Sequence, residues 1–168
     1  EDMNIDISWT GEVPIEERFA LLLQANLSQI GIKAKVTKVP WALFSEQVSK
    51  AERTPVVSQV FVNTMTGDPD TLLSNMYHSS AAGTWMSPEH LKDEQVDALL
   101  EKARTTLDEA ARAKIYQDLN RRLLAIAPSI FAQDQISVFA ASDKVLVPAL
   151  TDPSKAYALA GFGMSFRL

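Results

Sequence analysis

Polar and apolar positions along this chain follow the period of a strand, then of a helix, and the exchange repeats. Ile5, Ile7 and Trp9 alternate with polar residues as far as Gly11 and Pro14, which predicts a strand. Over 16–30 the period lengthens. Phe19, Leu22, Leu23, Leu27 and Ile30 fall three and four apart, predicting a helix with one apolar stripe. Glu16 and Glu17 occupy its first turn, where carboxylates complement the helix dipole, and Gly31 is placed as its stop. A second strand is predicted over 32–39, ended by Pro40. A short helix through Trp41, Phe44 and Val48 follows, to about residue 51. Residues 56–62 are β-branched and nearly all apolar, as in a strand central to a sheet.

The second half is more helical. A turn-rich loop over 64–70 contains Gly67-Asp68-Pro69-Asp70, and a short helix is predicted through Leu72, Leu73 and Met76. Residues 78–88 are small, polar and irregular. Asp93 precedes the stripe Val96, Leu99, Leu100, Ala103, and Asp108 precedes the stripe Ala111, Ile115, Leu119, Leu123, Ile126. Each aspartate offers an acceptor to the orphan amides of a first turn, worth about 1 kcal/mol. Pro128 ends the second helix, and short strands are predicted at 130–131, 136–141 and 162–166. The strand–helix–strand–helix–strand opening predicts an α/β fold with parallel pairing in the sheet.

Composition narrows the function. The net charge of −5 argues against a surface built for nucleic acid, which needs a basic face. The absence of cysteine excludes disulfides, thiolate nucleophiles and cysteine-based zinc sites, and fits a periplasm and a cytosol equally well. No apolar run approaches the roughly 20 residues of a membrane-spanning helix. His78 and His90 have no metal-ligand spacing, and no metal or cofactor is expected. The serines lack a nucleophile elbow and the six glycines form no phosphate loop, so no enzymatic activity is expected.

Several segments together resemble the family 5 extracellular solute-binding proteins, which bind oligopeptides, dipeptides, nickel chelates and related solutes. Leu27-Ser28-Gln29-Ile30-Gly31-Ile32-Lys33-Ala34-Lys35-Val36 resembles the family's helix, glycine stop and strand, with Trp41 where a tryptophan often follows. Gly67-Asp68-Pro69-Asp70-Thr71-Leu72-Leu73 resembles its Asp-Pro-Asp loop. Val96-Asp97-Ala98-Leu99-Leu100-Glu101-Lys102-Ala103, then Asp108, Arg112, Ile115-Tyr116-Gln117 and Ala127-Pro128-Ser129-Ile130, resemble its paired-helix block. The resemblance implies the C-terminal lobe of a type II periplasmic-binding-protein fold, a mixed sheet flanked by helices. Family members are much longer, so residues 1–168 are expected to form a single α/β lobe cut from a two-lobe protein. The lack of a visible signal peptide then carries no information.

Loops beyond the C-terminal ends of strands are the usual ligand positions in α/β sheets. This places Asn63, Thr64, Met65, Thr66 and Asp68 at a candidate ligand-binding site, with Trp85 as an aromatic contact from the 78–88 loop. In peptide-binding members an aspartate of this loop holds the ligand's amino terminus. The alignment puts Met65 at that position and Val62 where a tryptophan is common, which puts a peptide ligand in doubt. Asp68 and Asp70 also read as turn formers, with Asp70 placed to cap the next helix. Trp9 and Trp41 read as packing residues.

The resemblance implies the ligand-binding lobe of an ABC-importer substrate-binding protein, periplasmic or extracellular and membrane-tethered. Its partners would be a peptide or other small polar ligand, the missing N-terminal lobe and the ABC permease. The alternative is the effector-sensing domain of a transcription regulator built on the same fold, with a DNA-binding domain upstream. A standalone α/β interaction domain is the third reading.

Overall fold

The first helix stops where a residue without a side chain permits a left-handed backbone. Gly31 has φ +81°, its amide donates to the Ser28 carbonyl, and the next amide, of Ile32, reaches back to Leu27. These paired bonds form a Schellman end and turn the chain directly into the next strand. A computed structural model describes residues 4–60, 62 and 67–131. In chain order the elements are β1 (Asn4–Thr10), α1 (Ile15–Gln29), β2 (Lys33–Val39), α2 (Trp41–Val48), β3 (Val57–Ser58), α3 (Pro69–Tyr77), α4 (Glu94–Thr105) and α5 (Glu109–Ile126), with 3₁₀ turns at Ala51–Arg53 and Ser79–Ala81.

The described strands are ordered β2-β1-β3 and both pairings are parallel. β2 pairs along all of β1, Asn4 with Lys33 through Thr10 with Val39, whereas β3 touches β1 only at Ile7–Val57 and Ser8–Ser58. Parallel pairing and flanking helices are the α/β architecture expected. Among the described strands β1 stands in the middle, and 56–62 contributes the two residues of β3. The burial of β1 agrees, since Ile7, Ser8, Trp9 and Thr10 are all buried, two on each face. The strands expected at 136–141 and 162–166 lie outside the described residues. Residues 130–131, also expected as a strand, are irregular and exposed, because the chain has just left α5 through a left-handed Ala127 and Pro128.

Among the described residues three cores hold these elements. Ile7, Trp9 and Ala20 pack with Leu23, Leu27, Val36 and Val57 between the sheet and α1. The buried face of α1 is therefore Glu16, Ala20, Leu23 and Leu27. It is rotated from the expected stripe, and leaves Leu22 and Ile30 exposed. Phe44 and Val48 of α2 pack on Val39. Tyr77, Val96, Leu100, Ile115, Leu119 and Leu123 join α3, α4 and α5. There the expected stripes hold, except that Tyr116 is buried and Ala111 exposed.

Candidate functional site

Parallel strands deliver their following loops to one end of the sheet, and that end is built from unlike parts here. After β1, Glu12 accepts the Trp41 amide with both carboxylate oxygens at 3.1 Å. Pro40 has no side chain with which to cap α2, so Glu12 supplies the missing acceptor from a neighbouring loop. After β2 stands Trp41. Its ring lies 5.2 Å from Trp85, edge to face, and 5.7 Å from Phe44. Trp41 thus packs at the end of β2 in a partly exposed aromatic cluster, whereas Trp9 is buried in the core. Lys38 lies over the Trp9 ring at 5.2 Å.

A cavity of about 690 Å³ is lined by the N-terminal turns of α1, by 54–60, and by Tyr77, Glu89, His90 and 127–131. Its apolar walls include Ile15, Phe19, Val57 and Val60. Two carboxyls line it, and burial pushes both above the usual carboxylate range. Glu16 accepts the Thr10 amide (2.8 Å) and hydroxyl (2.9 Å), tying the end of β1 to the start of α1. Glu89 accepts the buried Ser87 hydroxyl at 3.2 Å. The Ser58 hydroxyl and Gln59 amide nitrogen, also on this wall, are buried without a hydrogen-bond partner among the described residues.

His90 is partly buried. Its Nε2 lies 2.9 Å from the Val48 carbonyl and 3.3 Å from the Thr54 hydroxyl, fastening the 83–90 loop to the end of α2. The backbone amide of His78 donates to the Ser74 carbonyl at the end of α3, and its Nδ1 accepts the Ser80 amide, capping the 3₁₀ turn Ser79–Ala81. Among the described residues no group of three or more His, Asp or Glu is arranged to hold a metal ion.

Of the six candidate ligand-binding residues, Asn63, Thr64, Met65 and Thr66 lie outside the described residues. Trp85 stands at the sheet's C-terminal end, half exposed against Trp41. Asp68 caps α3 by accepting the Asp70 amide at 2.8 Å, with Pro69 in the first helical position. The cap is thus Asp68 and not Asp70. Pro69 brings no N–H that would go unsatisfied there, and Asp70 instead accepts Arg104 and the Ser74 hydroxyl. Arg112 holds Asp68 through its two terminal guanidinium nitrogens, at 2.8 and 3.0 Å, and keeps its carboxyl below the usual range. Among the described residues no hydrogen bond or ring contact joins Asp68 to Trp85. Glu16, Glu89 and Arg112 went unmarked as site residues in the sequence, Arg112 because its partner Asp68 lies 44 positions away, and Glu16 and Glu89 because the burial that sets them apart is decided by packing.

No protein-family profile matches the chain. It is 30% identical over 105 residues to the Di/tripeptide-binding protein 4 of Pseudomonas aeruginosa, a match covering 62% of this chain and 19% of that protein. Among solved structures it resembles HbpA2 from Haemophilus parasuis, with TM-score 0.69, 26% identity, 76% of this chain and 25% of that one. It also resembles NikZ from Campylobacter jejuni in complex with Ni(L-His), with TM-score 0.63, 26% identity, 75% of this chain and 25% of that one. The chain thus spans about a fifth of its curated relative and a quarter of these structures. The likeness to family 5 solute-binding proteins and the type II periplasmic-binding-protein fold are borne out.

Proposed function

We propose that this chain is one lobe of a two-lobe solute-binding protein that captures a small solute for uptake by an ABC importer. The observation that carries the reading is the pairing of coverages. Three quarters of this chain superposes on proteins of which it makes up only a quarter. A lobe of a larger binding protein has that signature. The solute would sit against the sheet's C-terminal end, touching Asn63, Thr64, Met65 and Thr66 after β3 and resting on Trp85. Asn63, Thr64 and Thr66 offer neutral hydrogen bonds and Met65 an adaptable apolar contact, which suits a polar group without a free ammonium. Such a protein works in the periplasm or on the outer face of a membrane, hands its cargo to a permease, and performs no chemistry on it. In support, the curated relative is a di/tripeptide-binding protein by name, and the NikZ structure holds a small bound solute, Ni(L-His).

Closure of two lobes is a two-state equilibrium that the solute biases through contacts present only in the closed form. The test is native purification of the complete protein followed by mass spectrometry of the released solute. One small compound in stoichiometric amount is expected. A basic helical DNA-binding domain preceding this chain would replace the reading with that of an effector-sensing regulator.

A further inference from the structure

The apolar stripe of β2 ends in a lysine. Side chains along a strand alternate, and Ala34 and Val36 pack in the core between the sheet and α1. The next position on that face is Lys38, opposite Trp9 of β1, which is buried. An apolar residue there would continue the stripe. The lysine instead lays its stem across the indole, with Nζ 5.2 Å from the ring centroid, and carries its charge to the end of the sheet. A Cβ at Gly11, the first residue past β1, would stand 2.6 Å from the Lys38 Cε. Gly11 is not among the left-handed glycines, so the bare position serves the path of the lysine and not a turn of the backbone. Beyond the Trp9 ring, no ion pair among the described residues includes Lys38. Glu12, the acid next to Gly11, faces the Trp41 amide.

We propose that Lys38 is a binding residue for an anionic group, and that the solute is therefore an acid, carrying a carboxylate or a phosphate. The proposal rests on the reading that the solute sits at the C-terminal end of the sheet, the end at which Lys38, Gly11 and the Trp41 ring stand. A chain of net charge −5 repels an acid as a whole, so capture needs a cation placed at the site itself. Lysine meets the solute as a compact point charge, and the Trp9 ring and the gap at Gly11 hold its stem in place before the solute arrives. Enclosure by a second lobe strips water from the pair and strengthens it. Lys35 supplies the control. It alternates to the other face of β2, opposite Asp6 in the register, and bears the same charge three positions back.

The experiment purifies the complete protein natively as wild type, Lys38→Met, Lys38→Arg, Gly11→Ala and Lys35→Met. Mass spectrometry identifies the compound that each releases, and calorimetry measures the affinity of each for the compound released by the wild type. Urea midpoints check that all of them fold alike. The wild type is expected to release an acid. Lys38→Met keeps the stem over Trp9 and loses the charge. It should bind that acid roughly thirtyfold more weakly or worse, the scale for removing one partner of an enclosed charge pair. Gly11→Ala keeps the charge but pushes Cε aside, and should weaken binding by a smaller factor. Lys38→Arg should retain most of the affinity, and Lys35→Met all of it. Three results would each overturn the proposal and leave the solute-binding reading intact: a neutral or cationic compound from the wild type, an acid bound equally by wild type and Lys38→Met, or an equal loss in Lys35→Met. A wild type that releases no compound would overturn both.

Discussion

Glu16 and Asp68 are carboxyls with opposite pH behaviour, and burial and pairing explain the difference. Burial raises the pKa of Glu16 above the ordinary 4.5 despite two bonds from Thr10. Above about that pH the folded chain binds more protons at this site than the unfolded chain, so its contribution to stability falls as pH rises through the folded pKa. Glu16→Gln keeps an oxygen that accepts both Thr10 donors. It is expected to flatten this part of the stability–pH curve with little loss at pH 5, as read by urea unfolding. Glu16→Ala strands a buried amide and hydroxyl and should cost about 1–3 kcal/mol. Asp68 has the reverse sign. Arg112 lowers its pKa below the ordinary 3.8, so its contribution is present above that value and is lost as pH falls through the folded pKa. Asp68→Asn should remove that acid sensitivity. Neither role was legible in the sequence. The caps at Asp93 and Asp108 were, because a cap and its amides lie within three residues of each other. Thr10 meets Glu16 only after the chain reverses, and Asp68 meets Arg112 across 44 positions.

At the scale of elements, periodicity gave the helices and most of their ends but not the face that α1 buries. Five large apolar residues suggested a stripe through Leu22 and Ile30. The packed side instead runs through Glu16 and Ala20, a charged residue and a small one that the pattern discounts, because β1 approaches closely at Ala20 and supplies Thr10 to Glu16. Leu23→Ala should therefore cost about 2 kcal/mol and Leu22→Ala under about 0.5 kcal/mol in the same unfolding assay. A reversed order would restore the stripe read from the sequence. Gly31 and Gly83, two of the left-handed glycines, separate backbone strain from crowding. A Cβ at Gly31 meets nothing within 4 Å, so Gly31→Ala should cost only the conformational penalty, about 1 kcal/mol. A Cβ at Gly83 would stand 3.0 Å from His90 and 3.1 Å from the Ser49 carbonyl, so Gly83→Ala should cost more and loosen the His90 tie to α2. Gly31 was readable as a stop because it follows a periodic run. Gly83 was not, since its neighbour lies seven residues on in an irregular loop.

For the molecule as a whole, the architecture was legible because alternating strand and helix periods admit few topologies, and parallel pairing with crossover helices is the common one. The sheet order was less so. The richest apolar segment, 56–62, forms the shortest described strand, and among the described strands the mixed segment 4–10 takes the middle, its Ser8 and Thr10 buried by position and not by composition. The functional reading makes a quantitative demand at this scale. If the solute is enclosed between two lobes, this chain alone keeps about half of its contacts. A complete protein binding at about 1 μM has roughly −8 kcal/mol to divide, and half of that corresponds to about 1 mM. The isolated chain also cannot gain from closure, since no second lobe exists to close against it. Calorimetry of the purified 168-residue chain with the solute identified from the complete protein should therefore show millimolar binding or none. Micromolar, stoichiometric binding would mean that the 690 Å³ cavity beside Glu16 and Glu89 encloses a ligand by itself. The two-lobe account would then give way to a single-domain receptor, with Glu16→Gln and Glu89→Gln the first variants to weaken it.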